Sequence, residues 1–310
     1  MKLIFCGTPR FAVPTLQKLT QEKFDIELVV TNPDERAGRG YPWKAPPVKE
    51  TAAQHRLLIF QPLKLNDACA RTFITEFRPD AIVVVAYGHI LPPWIIDLPA
   101  LGCINLHASL LPKYRGAAPI PWAIIKGERE TGVTSMKIDR GMDTGDVLLS
   151  RHEPIREDDT AATLSDRLSL IGADLMVETL RKLEGGQTRP RPQDSQQSSY
   201  APRLKKEDGW IDWQLSAEEI SRRVRGLNPW PSAQTKFRRK TLHIWKATPL
   251  TESSPGLEPG TLLPEARRLT VACGSGLLVL HEVQLEGRKR LSAHEFMQGA
   301  RVKPGEKLET

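Results

Sequence analysis

Four short apolar runs, rich in β-branched residues, punctuate the first third of the chain: KLIFC at 2–6, IELVV at 26–30, AIVVV at 81–85 and GCINL at 102–106. Most are apolar at consecutive positions, not alternate ones, which is the pattern of a strand buried on both faces. Between the first two, residues 10–21 set Phe11, Leu16 and Leu19 at helical spacing, and residues 67–78 do the same with Phe73 and Phe77. Strand–helix alternation of this kind predicts an α/β fold with a parallel sheet covered on both faces. Residues 160–184 (TAATLSDRLSLIGADLMVETLRKLE) carry one long helical period ending at Gly185 and Gly186, a helix that closes this first domain.

The pattern then changes. QTRPRPQDSQQSS has no period and is polar and proline-rich, as in an extended linker. Beyond it come short alternating runs, PSAQTKF, KTLHIW, RRLTVAC and GLLVLHEVQL, punctuated by Trp210, Trp213, Trp230, Phe237 and Trp245. They predict a small β-barrel, preceded by a short helix near 216–225 with Glu219 at its start and arginines at its end. The division expected is therefore 1–186, a linker at 187–204, and a second domain at 205–310.

Composition narrows the classes. With 310 residues, 40% hydrophobic and 26% charged, the chain has the make-up of a two-domain globular protein. No run approaches the roughly 20 apolar residues of a membrane span, and MKLIFCGTPRF reads as a first strand, not a leader. Cys6, Cys69, Cys103 and Cys273 follow no paired spacing, which fits free thiols in a reducing cytoplasm. Residues 186–310 hold 21 Lys and Arg against 14 Asp and Glu, so the whole +7 charge of the chain lies there. A basic module joined to a neutral one suggests a polyanionic partner, although an ordinary Lys/Arg-rich surface has the same composition.

Candidate chemistry begins at NLHASLLPKYRG, residues 105–116. Asn105 and His107 fall on one face at the carboxyl end of a predicted strand, where open α/β sheets hold ligands. A second segment, KIDRGMDTGD at 137–146, follows a strand-like run and has the glycines and aspartates of a tight loop. Folded over the first, it brings Asp143 to His107, where it accepts a bond and favours the imidazolium. Asn105 then donates its amide N–H to an oxyanion. That set suits acyl transfer through a tetrahedral species without a nucleophilic side chain. Ser109 is the only nearby hydroxyl and Leu-Leu-Pro follows it, which excludes a nucleophile elbow. No His-x-x-Glu-His and no Cys pair is present, so no metal is expected. Gly7 in FCGTP stands alone, without a G-x-G-x-x-G, and supports no dinucleotide. The loop NPDERAGRGYPWK at 32–44 combines Arg39, Lys44, glycines and aromatic rings, which can grip a phosphate backbone and stack a base. A long surface loop has the same composition, and a histidine at a strand end is often only structural.

These residues carry a resemblance. NLHASLLPKYRGAAPIPWAI is similar to the signature of the folate-dependent formyltransferase family, and DRGMDTGDVL to its companion acidic loop. FCGTPRFA, TNPDERAGRG, SSYAPRLKKEDGWIDW and VRGLNPWPSAQT resemble segments of the member that acts on a charged tRNA. The six lie collinearly over nearly all of the chain. The resemblance implies a Rossmann-like N-terminal domain and an OB-fold-like, tRNA-binding C-terminal domain. It implies 10-formyltetrahydrofolate as donor, initiator methionyl-tRNA as acceptor, and a cytoplasmic monomer without a membrane partner. Carried over by position, Asn105, His107 and Asp143 are the catalytic trio. Ser109, Leu110, Leu111 and Pro112 form the folate-contact segment, and Arg39, with Lys44, lies in the acceptor-gripping loop. The family often has lysines after RAGRG, where this chain has Tyr41, Pro42 and Trp43.

Two other readings fit part of the sequence. A formyltransferase for a small amine, such as a sugar nucleotide or glycinamide ribotide, accounts for the trio but not for the basic C-terminal module or the RAGRG loop. A tRNA-binding protein with a dead catalytic domain does not account for the intact trio.

Overall fold

A computed structural model describes residues 1–36, 43–250 and 256–309. Its first sheet contains β1 (Lys2–Gly7), β2 (Asp25–Val30), β5 (Ile59–Phe60), β6 (Ala81–Val85), β7 (Cys103–His107), β8 (Glu130–Lys137) and β9 (Val147–Pro154), while β3 (Glu35–Arg36) and β4 (Trp43–Lys44) pair as a separate two-stranded hairpin. The order across the sheet is β5-β2-β1-β6-β7-β8-β9. The first five in that order run parallel, and every residue of β6 is buried, as its unbroken apolar run requires.

The sheet departs from an all-parallel one at a single edge. β8 runs antiparallel to β7, and β9 antiparallel to β8. β8 and β9 are joined only by the loop 138–146, too short for a helical crossover, so the two can pair only as antiparallel neighbours. The Asp143 loop is thereby the turn of this outer hairpin. Gly145 permits the turn: a Cβ there would lie 1.8 Å from the Lys137 carbonyl oxygen.

The helix Ala161–Glu184 runs 24 residues. Gly172 lets it approach the sheet, for a Cβ at that position would meet the Leu106 side chain at 2.6 Å. The buried hydroxyls of Ser135 and Thr179 bond at 2.7 Å between β8 and this helix. The opposite sheet face packs Ile4, Leu28, Ile82 and Cys103 against Ile74, Leu91 and Ile95. No described helix is long and apolar enough to cross a membrane.

The C-terminal strands are β10 (Ala233–Phe237), β11 (Lys240–Leu250), β12 (Leu262–Pro264), β13 (Leu269–Ala272), β14 (Leu277–Leu285), β15 (Leu291–Ser292) and β16 (Leu308–Glu309). They form an antiparallel sheet in the order β12-β13-β14-β11-β10-β16, with β15 on β14. The two ends of that order meet. Leu262 donates its N–H to the Glu306 carbonyl at 2.7 Å, and Leu308 donates to Gly260 at 2.8 Å, so the sheet curls on itself as a small barrel does. Trp213, Phe237, Leu242, Ile244, Leu278 and Phe296 fill its interior. Trp213 brings a polar atom inside and satisfies it by donating from Nε1 to Thr235 Oγ1 at 3.1 Å. The helix Ala217–Gly226 begins with a reciprocal cap between Ser216 and Glu219.

Two compact units emerge, and they cut across the division 1–186, 187–204 and 205–310. One comprises 1–117, 130–154 and 165–201; the other comprises 118–129, 155–164 and 202–310. The short helix Pro119–Ile125 groups with the second unit because Gly226 lies against Ile125 and the Pro121 carbonyl, closer than any side chain would allow.

Candidate active site

β7 carries Cys103, Asn105 and His107 on one face by the two-residue period of a strand. The other face, Ile104 and Leu106, is buried. Cys103 lies deep, and burial pushes its thiol up to about 12; the Cys6 thiol is raised too, so neither offers a thiolate at neutral pH. Asn105 pairs with Val84 on one side and Met136 on the other. Its side chain is half-buried and has no hydrogen-bond partner among the described residues.

His107 ends the strand at 6% exposure. Its Nε2 lies 2.9 Å from the Tyr114 carbonyl oxygen. A carbonyl only accepts, so this nitrogen carries the hydrogen. The other nitrogen, Nδ1, lies 3.6 Å from Asp143 Oδ2. The aspartate therefore reaches the imidazole at ion-pair distance, slightly beyond the hydrogen bond expected from the sequence. Both ring nitrogens face oxygen acceptors, an arrangement that a doubly protonated ring satisfies on both sides. Asp143 is itself held, since Gly116 donates its N–H to Oδ2 at 2.8 Å.

Asp143 and Tyr114 both adopt left-handed backbone, with φ of 53° and 60°. Residues with a Cβ rarely take that conformation, and it persists where the surroundings fix it. Here they do. Tyr114 donates its N–H to Ser199 Oγ at 2.9 Å, and the Asp143 carbonyl accepts from Gln193 Nε2 at 2.8 Å.

Ser109 stands differently from its neighbours in the expected folate-contact segment. It is fully buried, and its hydroxyl donates to the Lys113 carbonyl at 2.6 Å. Thr134 Oγ1 donates to the Ser109 carbonyl at 2.7 Å and accepts from the Leu111 N–H at 3.3 Å. The Ser109 side chain thus shapes the turn, while Leu110, Leu111 and Pro112 remain half-exposed.

The loop after β2 leaves from the same carboxyl edge of the sheet as His107. Its root is clamped: Lys49 Nζ lies 2.7 Å from each Asp34 carboxylate oxygen, and Gln61 donates to Asp34 Oδ1 at 2.9 Å and to the Asn32 carbonyl at 2.7 Å. The Gln61 amide, and after it the Lys49 ammonium, hold the Asp34 carboxyl below the usual aspartate range. Above the clamp, Lys44 is exposed opposite Glu35, and the Arg36 guanidinium lies 5.3 Å from the Trp43 ring centre, with Trp43 67% exposed. Arg39 lies outside the described residues. Among the described residues, no three His, Cys, Asp or Glu side chains gather as a metal-binding group.

Sequence reasoning named His107 and Asp143, which come together, and Asn105, which shares the strand of His107. It missed Tyr114, Thr134, Gln193 and the Asp34–Lys49–Gln61 clamp. The Tyr114 and Thr134 contacts run through backbone atoms or a strand threonine and leave no residue-type signal. Gln193 sits in a segment whose composition reads as linker.

Comparison with known proteins adds the family. Residues 1–180 match the formyl transferase domain and residues 203–301 the formyl transferase C-terminal domain. The chain is 51% identical over 310 residues to a methionyl-tRNA formyltransferase of Koribacter versatilis, covering 99% of this chain and 98% of that one. It is 49% identical over 308 residues to the methionyl-tRNA formyltransferase of Solibacter usitatus, covering 99% and 98%. A solved N-formyltransferase from Helicobacter canadensis, in complex with folinic acid and dTDP-3-aminofucose, shares the fold at a TM-score of 0.68 and 19% identity over 90% of this chain and 98% of that one. With both domains matched in order and half of all positions identical end to end, the chain belongs to the formyl transferase family, among its methionyl-tRNA formyltransferases.

Proposed function

We propose that this enzyme transfers a formyl group from 10-formyltetrahydrofolate to the amino group of initiator methionyl-tRNA, and that Asn105, His107 and Asp143 carry the chemistry. One observation supports this above the rest. His107 lies between a carbonyl and a carboxylate, two residues along one strand face from an amide that has no partner among the described residues.

The methionine amine forms a bond to the formyl carbon, and negative charge grows on the formyl oxygen. Asn105 donates its N–H to that oxygen. His107 places its positive charge beside it, and Asp143 balances the imidazolium so that the charge is not buried alone. As the carbon–N10 bond breaks, the amine gives up a proton and N10 takes one, with His107 or a water as carrier. Leu110, Leu111 and Pro112 offer an apolar edge to the folate ring, with Ser109 shaping the turn beneath them. The folinic acid in the Helicobacter canadensis N-formyltransferase supports a folate-type donor on this fold.

Arg39 and Lys44 grip the acceptor end of the tRNA, and the basic C-terminal domain holds its backbone. Neutralised phosphates release counterions, so this part of binding weakens as salt rises. The test is a labelled formyl donor offered to methionyl-tRNA and, separately, to small amines including an amino sugar nucleotide. Label is expected on methionyl-tRNA; label on the small amine alone contradicts the proposal.

A further inference from the structure

The segment 187–201, read from composition as linker, is woven into the first unit. Arg191 exchanges both backbone bonds with Val147, each 2.9 Å. Ser199 accepts the Arg115 N–H at its carbonyl and the Tyr114 N–H at its hydroxyl, both at 2.9 Å, and Ala201 donates to the Arg115 carbonyl at 2.7 Å. Within 191–200 every residue is exposed except Gln193.

Gln193 fills all four hydrogen-bonding valences of its carboxamide. Nε2 donates to the Asp143 carbonyl at 2.8 Å and to the Gly145 carbonyl at 2.7 Å. Oε1 accepts from Arg115 Nε at 3.0 Å and from Arg115 Nη2 at 2.8 Å. Only this orientation works, because the reverse sets oxygen against two carbonyls and an amino group against a guanidinium. The bonds land where backbone strain needs fixing. Asp143 is left-handed at φ 53°, in the loop that aims its carboxylate at Nδ1 of His107. Arg115, on the other side of the amide, separates Tyr114, whose carbonyl holds Nε2, from Gly116, whose N–H holds the Asp143 carboxylate. A single side chain therefore ties together the two backbone segments that grip opposite nitrogens of one imidazole.

We infer that Gln193 is a positioning residue for formyl transfer, setting the Asp143 backbone and, through it, the carboxylate that faces His107. The inference rests on the proposed role of Asp143. It concerns a residue whose backbone bonds go to the Asp143 and Gly145 carbonyls and whose bond to the other segment reaches only the Arg115 guanidinium, so its main effect on the chemistry runs through Asp143. A side chain that merely stabilised the fold would lower the unfolding temperature and leave turnover per folded enzyme unchanged.

The experiment is a double-mutant cycle in the full-length enzyme, using Gln193→Ala, Asp143→Asn and the pair, with kcat and both KM values measured on methionyl-tRNA and 10-formyltetrahydrofolate. Displacements of an ångström at a reacting centre cost up to roughly 10²-fold. Gln193→Ala is therefore expected to lower kcat by about tenfold or more, with each KM within about twofold. In the Asp143→Asn background the same change should add less than about a twofold loss, since no carboxylate is left to aim. Gln193→Glu keeps the Arg115 pair but turns an oxygen toward two carbonyls, and should fall at least as far. A kcat within about twofold of wild type, or an undiminished fold-loss in the Asp143→Asn background, overturns the inference. Should Gln193→Ala not fold, Gln193→Met, of similar length, enters the same cycle under the same criteria. Wild type that leaves methionyl-tRNA unformylated, or Asp143→Asn at full rate, strikes the proposed function itself.

Discussion

At the carboxyl end of β7 one imidazole, 6% exposed, is held between two oxygen acceptors that are themselves fixed by further bonds. In the C-terminal unit two cations lie against aromatic rings. Arg290 lies over the Trp245 ring at 5.0 Å, paired with Glu282 and with about half its side chain in solvent, and Lys236 lies over Trp210 at 5.4 Å. The first region sets an imidazole in a water-poor position where its geometry decides its effect. The second spreads charge over rings, the Glu282 carboxylate and solvent, where each cation counts little and salt competes with it. Chemistry and adhesion make these opposite demands, and the proposed function assigns them to separate units.

The steepest way to break this contrast is at the imidazole. His107→Ala is expected to lower kcat by on the order of 10² or more, as for a residue acting on a developing charge. That loss should be equal in low and high salt, because a shielded site is screened little. A loss that vanished at high salt would place His107 with the surface cations. Next in size, Trp213→Ala removes the largest ring from the barrel interior, where it is 3% exposed. Unfolding in denaturant should show a loss of roughly 3–5 kcal/mol, while the first unit's own core is untouched.

Lys236→Ala and Arg290→Ala sharpen the comparison from the other side. Each should raise the Kd for tRNA by only a few-fold and flatten the plot of log Kd against log salt by about one charge, with kcat unchanged. Steep losses in kcat from either would deny the division of labour. Smallest of all is the pH effect at Asp34. Its folded carboxyl is held low, so the clamp contributes above the ordinary aspartate pKa of about 3.9 and is lost as pH falls through the folded value. Melting temperatures of wild type and Asp34→Asn should differ at neutral pH and converge in acid; a constant gap counts against the clamp.

The sequence makes some of this legible and hides the rest for physical reasons. AIVVV announces a buried strand because burial on both faces demands an unbroken apolar run. Asn105 and His107 stand out because polar residues two apart at a strand end gain nothing from packing, and Asp143 because a loop of glycine and aspartate declares a turn. What stays hidden depends on partners distant in the chain. Gln193 lies 50 residues from Asp143 and 78 from Arg115, amid residues that look like tether. The antiparallel turn of β8 and β9 follows from connection length as much as from strand composition, and Pro119–Ile125 joins the second unit through contacts at Gly226 that no local pattern reports.

The account stands most directly on the single-turnover rate of formyl transfer in His107→Ala, at saturating donor and methionyl-tRNA, beside the wild type. It predicts a fall of about a hundredfold or more with tRNA affinity unchanged. A rate within about threefold of wild type would contradict it.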